Sequence, residues 1–218
     1  MVAGCGYAIM EVTCLGLIEL GSFMLKYLVP RIAWCDLKVM FAVAVFGALV
    51  AGFYGVLHDQ LTYSIGPEYF TKFKFDQFQF ADLGLGDRIF VSCIGFLASW
   101  WVGFIMAWFL SRRLIPNQPR SVAYLAILKG FVIVFGSGVL AGMVGYFYGI
   151  WRGAGSDYSA WSPFVQRLQI TDTWAFVRVA YIHNASYLGG VIGFLVALVV
   201  IRPKQVKPNP GDIKQQTN

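Results

Sequence analysis

The chain has 218 residues, 58% of them hydrophobic and 13% charged, where soluble domains carry roughly 25% charged residues. So short a chain has no layers thick enough to cover helices that are apolar on every side, which excludes an ordinary soluble domain. The formal net charge of +6 is accounted for by the placement of basic residues around apolar runs and calls for no nucleic acid.

Residues 1–38 read as a cytoplasmic or interfacial segment. Positions 6–25 are apolar enough to suggest a span, but Glu11 and Glu19 would each cost a few kcal/mol near a bilayer centre unless paired. An amphipathic interfacial helix is the expectation. Met24, followed by Lys26, Arg31 and an apolar run, also reads as the basic leader of a signal anchor and a second candidate start.

A transmembrane domain is expected over residues 39–201. Nineteen residues without a charge separate Lys38 from His58, and further charge-free runs extend over Ile89–Ser111, Gly130–Trp151 and Val179–Ile201. At about 1.5 Å per residue each run reaches roughly 28 Å or more, the thickness of a hydrocarbon core. The fold class is therefore all-α membrane, a four-helix transmembrane bundle. Glycines concentrate in the first run (Gly47, Gly52, Gly55) and the third (Gly136, Gly138, Gly142, Gly145, Gly149). Small residues at this spacing let helix backbones approach closely in lipid. The first and third helices are thus expected to pack together, with the bulkier second run (Trp100, Trp101, Phe104, Trp108, Phe109) at the rim.

Ala51-Gly52-x-x-Gly55 recurs as Ala141-Gly142-x-x-Gly145, and Ile94-Gly95-Phe96-Leu97 as Ile192-Gly193-Phe194-Leu195. These matches suggest two repeated helical hairpins related by an axis along the membrane normal. Lys and Arg number three before the first run, four between the second and third, and four in the tail, whereas the other two loops mix three each with seven acids. The positive-inside rule then places both termini in the cytoplasm and the loops 58–88 and 152–178 outside. The basic rim favours anionic membrane lipids. No cysteine falls in an outer loop or shows zinc or redox spacing, so no disulfide is expected. The tail, 202–218, is polar and proline-bearing and is expected to be disordered.

The aromatic-rich outer loop contains Phe73, Phe75, Phe78 and Phe80 in alternation. That pattern predicts extended chain with one apolar face and a register slip at Asp76-Gln77. Residues 69–80 would rest on the headgroups as an aromatic belt, pair with a membrane-protein partner, or close over a site.

His58 lies 20 residues beyond Lys38 and His183 lies 19 residues before Arg202, so both imidazoles arrive about 28–30 Å up, at one level. Each is followed by an Asx residue, Asp59 and Asn184, and each has a tyrosine one turn deeper, Tyr54 and Tyr187. Glu68, Arg152 and Arg178 are near in sequence. Two imidazoles, a carboxylate and an amide suit zinc or another borderline divalent metal. The same groups suit proton movement, or they cap helices and meet headgroups. A bis-histidine haem would require the two rings to face each other across the iron.

The segments Tyr54-Gly55-Val56-Leu57-His58-Asp59-Gln60, Pro67-Glu68-Tyr69-Phe70-Thr71 and His183-Asn184-Ala185-Ser186-Tyr187 resemble a group of bacterial multi-pass membrane proteins without an assigned activity. The resemblance covers residues 39–201 and implies an inner-membrane location. It says nothing about chemistry.

Three classes of function follow. An envelope scaffold or assembly factor would use the small-residue faces and outer aromatics, with the histidines incidental; this is the leading expectation. The alternative is a metal-dependent or acid-base enzyme acting on a lipid or envelope substrate through His58, His183 and Asp59 or Glu68, with Arg152 or Arg178 attracting an anionic head. A transporter or channel is the least expected class: a transporter needs ionisable residues at the midplane, which all four run centres lack, while a channel would be lined by backbone or by hydroxyls such as Ser92, Ser99 and Ser137.

Overall fold

A computed structural model describes residues 32–203. The expectations for residues 6–25 and for the tail beyond Pro203 lie outside the described residues. Among the described residues, those from Lys38 onward form one compact unit.

The described chain is helical and contains no strand. Four helices are long and apolar enough to cross a membrane: α1 (Trp34–Ile65), α2 (Asp87–Leu114), α3 (Arg120–Arg152) and α5 (Thr173–Val200). A short α4 (Ser162–Leu168) precedes α5. Pro116 and Pro119 lie in the turn between α2 and α3, where a missing N–H does no harm. Asp172 caps α5 by accepting the Ala175 N–H at 2.9 Å, which satisfies one of the orphan donors of its first turn.

α1 and α2 form one antiparallel pair. A Cβ on Gly55 would meet the Gly95 carbonyl and Ser99, and one on Gly47 would meet Ala107 and Gly103. Backbone touches backbone there, which only residues lacking a side chain permit. α3 and α5 form the second pair, where Gly142 faces Ser186, Gly145 faces Tyr181, and Gly193 faces Ser137. The glycines of α1 thus serve α2, not α3 as their density suggested; α1 meets α3 through rings, Tyr54 on Phe135 at 5.2 Å. Trp100, Trp101 and Phe109 are exposed on the outside of α2, as the rim reading requires. The repeated glycines have unlike partners: Gly55 meets Gly95, but their counterparts Gly145 and Gly193 meet Tyr181 and Ser137.

The alternating phenylalanines are not a strand. Residues Phe70–Lys74 form a π-helical turn, Phe75–Gln77 a turn of α-helix and Gln79–Ala81 a 3-10 turn. A window opened at Phe73 shows period two; opened at Tyr69 it shows Tyr69, Phe70 and Phe73 at helical spacing. These rings are pulled inward by a core of Tyr69, Phe70, Val91, Ile170, Phe176, Val177, Val179 and Ala180, which roofs the helix ends remote from Lys38. Phe75 packs against the same core and onto Phe90 of α2 at 4.4 Å.

Candidate functional site

His58 and Asp59 lie inside α1, which continues to Ile65 instead of ending before Asp59. The polar residues after His58 stay within the helix by turning their hydroxyls back onto it: the Thr62 hydroxyl donates to the His58 carbonyl at 3.0 Å and the Ser64 hydroxyl to the Gln60 carbonyl at 3.0 Å. Arg88 of α2 grips the Gln60 carbonyl and side chain at 3.1 and 3.0 Å, and Arg178 of α5 donates to the last carbonyl, Ile65, at 3.3 Å. Cations on terminal carbonyls favour the negative end of the helix dipole.

Held this way, α1 presents Asp59 to α5. The Oδ1 atom of Asp59 lies 3.2 Å from His58 Nδ1 and 3.2 Å from His183 Nε2. The second nitrogen of each imidazole is also engaged: His183 Nδ1 lies 3.1 Å from the Val179 carbonyl and His58 Nε2 lies 3.3 Å from Ser186 Oγ. His183 is 1% exposed and Asp59 6%, so the cluster is dry enough that an unmatched charge would be costly. A carbonyl only accepts, so His183 Nδ1 carries a proton. Its Nε2 then faces a carboxylate with either a second proton, giving an imidazolium–carboxylate pair, or a lone pair aimed at a cation shared with Asp59.

Coordination fits the two spacings from Asp59 Oδ1 to the imidazole nitrogens, 3.2 Å each. Bonds of about 2.0–2.2 Å to His nitrogen and carboxylate oxygen put neighbouring ligand atoms about 3.2–3.5 Å apart in a near-tetrahedral site. Charge-assisted N–H···O bonds are shorter, about 2.7–2.9 Å. His58, Asp59 and His183 offer ligand atoms that all lie within 4.8 Å of one another. Each imidazole's remaining nitrogen rests on an oxygen, the arrangement by which metal-binding histidines are oriented.

Aromatic rings enclose the centre. Tyr69 lies over His183 with ring centroids 4.8 Å apart, Phe70 at 6.0 Å and Tyr187 at 5.9 Å, while Tyr54 lies 5.9 Å from His58. The Tyr54 hydroxyl is buried and has no hydrogen-bond partner among the described residues, a polar atom left over beside the cluster. The two imidazoles meet edge to face at 4.7 Å and 86°. They converge on one carboxylate oxygen and do not oppose each other, so the haem arrangement is ruled out by geometry.

The remaining site residues read from the sequence divide. Asn184 is exposed, because the residue after His183 is rotated away from the face that meets α1, and it does not join the ligands. Arg152 stays at the end of α3, donating to the Asp157 carbonyl at 2.5 Å and covering the Tyr158 ring. Arg178 lies on the Trp174 ring at 4.3 Å as well as on Ile65. Both arginines brace loops.

Glu68 does the same from the other side. Its carboxylate accepts the Thr171 and Asp172 N–H groups at 3.0 and 2.8 Å and the Thr171 hydroxyl at 2.7 Å, tying the Tyr69 turn to the start of α5. Burial alone would raise its pKa, but these donors and the Lys72 charge outweigh that and hold the carboxyl below its usual range. Tyr69, which covers His183, and Lys74 fall within residues 69–80, the segment whose sequence offers closure over a site among its readings. Ser186, as the partner of His58, is signalled only by its place three residues after His183 and so on its face.

No protein-family model, curated protein or solved structure matches the chain.

Proposed function

We propose that the chain is a membrane metalloprotein whose His58–Asp59–His183 centre holds one zinc-like divalent ion and activates water or a polar substrate group, acting on a lipid or envelope substrate. The observation that carries this reading is the convergence of two imidazole nitrogens on one carboxylate oxygen at 3.2 Å each, with every outward nitrogen already steered by an oxygen. Three protein ligands leave a coordination position for water, the pattern of catalytic rather than structural zinc sites. The basic-residue count supports an orientation with both termini cytoplasmic and the centre at the outer face, and the resemblance to bacterial multi-pass proteins supports the inner membrane.

The test is metal analysis of detergent-purified full chain beside His58→Ala, His183→Ala and the milder His183→Gln. About one equivalent of divalent metal per chain, lost in all three variants while helicity and size-exclusion behaviour persist, is the expected result. Folded wild-type protein that takes up no divalent metal overturns the reading.

The scaffold reading keeps one supporting observation. Phe80, Leu83 and Leu85 are 80%, 63% and 64% exposed, an apolar tip available to headgroups or a partner. Tyr69 and Phe70 are buried against the chain's own helices, so a partner would engage only the far part of 69–80. Co-purification from native membranes with and without Phe80→Ser tests it, and a chain that is partnerless in both sinks it.

A further inference from the structure

The roof over the centre contains a cation that has been given nothing to hold. Of the partly buried basic residues at this end, Arg152 and Arg178 donate to carbonyl oxygens, while Lys74 has no oxygen acceptor among the described residues. Its amine instead lies among rings, 5.9 Å from the centroid of Tyr69 and 5.3 Å from that of Phe73. Tyr69 is the ring that covers His183 at 4.8 Å, so one aromatic side chain separates the ammonium from the proposed ligand set. Phe73 continues the apolar wall, packing near Phe164 and Phe176 at 6.5 and 6.4 Å. The π-helical turn Phe70–Lys74 puts Phe70, Phe73 and Lys74 on the roof together, and such widened turns recur at functional sites.

Burial pushes the Lys74 amine down from its ordinary range, and the charge of Asp59 pulls it part of the way back. The two groups therefore share one field without forming an ion pair. A half-buried ammonium with only ring faces for partners gains from cation–π contact but keeps its capacity for a charged acceptor. The surrounding rings suit an apolar chain attached to that acceptor.

Resting on the metal reading above, we infer that Lys74 is the anion-binding residue of this centre and that its substrate class is an anionic amphiphile, an acyl or alkyl chain ending in a phosphate or carboxylate. The anionic head pairs with Lys74 on the far side of the Tyr69 ring from the His–Asp–His ligands, and the chain lies along Phe73 and its aromatic neighbours. Exposed lysines would give only diffuse attraction; this one is held beside the centre by the same turn that Glu68 ties to α5.

Calorimetric titration of dodecyl phosphate into full chain in a neutral maltoside detergent tests the assignment, run on both metal-loaded and chelator-stripped protein, with inorganic phosphate as a second titrant. Saturable binding that falls tenfold or more in Lys74→Gln and is retained in Lys74→Arg is the expected result. Tighter binding of dodecyl phosphate than of inorganic phosphate identifies the amphiphile, and equal binding overturns that part in favour of free phosphate. Affinity unchanged in a folded Lys74→Gln variant, or no saturable binding to wild type in either metal state, overturns the role of Lys74. Lys74-dependent binding that persists in stripped protein, from a chain that never takes up metal, sustains Lys74 and removes the metal, so the two failures are distinguishable.

Discussion

The two ends of the helices are built on opposite principles. At the end remote from Lys38 the connecting segments fold back over the helix tips, burying Phe70, Phe176 and Val91 almost completely and sealing a polar cluster between α1 and α5. At the Lys38 end, α1 and α3 part around a groove of about 610 Å³ lined by Lys38, Val39, Ala42, Val43, Phe46, Tyr124, Ile127, Leu128 and Phe131. Apolar groups facing a groove in a bilayer cost little, because lipid chains solvate them as well as neighbouring side chains do. Polar groups have no such substitute, so they must be matched by the protein itself. The closed end is where order is required, and a site can be built there.

Substitutions sharpen the contrast. Asp59→Ala should have the largest effect, since it leaves two imidazoles facing each other without their shared acceptor; breaking a buried pair from one side costs about 3–5 kcal/mol. Unfolding in mixed detergent should show that loss, and a change below about 1 kcal/mol would mean the cluster contributes little to holding α1 against α5. An intermediate effect is expected at Glu68, whose pKa is depressed in the folded chain. Its stabilisation is complete above the ordinary carboxylate range and is lost as pH falls through the depressed value, so acidification should release the turn it ties down. Amide exchange over residues 66–78 should accelerate on acidification relative to the cores of α2 and α3, and Glu68→Gln should show the faster exchange already at neutral pH. Uniform protection at all pH values would assign the roof's order to its rings alone. Ala42→Leu, at the open end, should change stability by no more than about 0.5 kcal/mol, since the groove has room for the added atoms. A loss of several kcal/mol there would show that the groove is closed in the membrane.

Much of this architecture is legible in the residues because helix geometry is rigid. A fixed rise per residue converts the distances of His58 from Lys38 and of His183 from Arg202 into equal heights, and the two rings do meet, 4.7 Å apart. The same rigidity explains the failure at Asn184: a step of one residue turns a side chain through about 100°. Asp59 also stands one residue from a histidine, but that rotation carries it toward α5. Nothing in the sequence distinguishes the two steps without knowing where the neighbouring helix lies. Helix pairing is equally hidden, because Gly47 and Gly55 advertise a close approach without naming the partner, and the bulky residues around Gly95 and Gly103 mask the matching face. Tyr69 came over His183 through a π-helical turn whose phenylalanines, taken alone, alternate as a strand would.

The apolar runs, their lengths and the level of the histidines are local properties, set by transfer free energy and by a backbone that must satisfy its own hydrogen bonds in lipid. Which helix touches which, which face of each is buried, and that Asp59 Oδ1 becomes the common partner of two imidazoles are rotational facts about packed helices. They depend on contacts between residues 124 positions apart, and only the tertiary structure decides them.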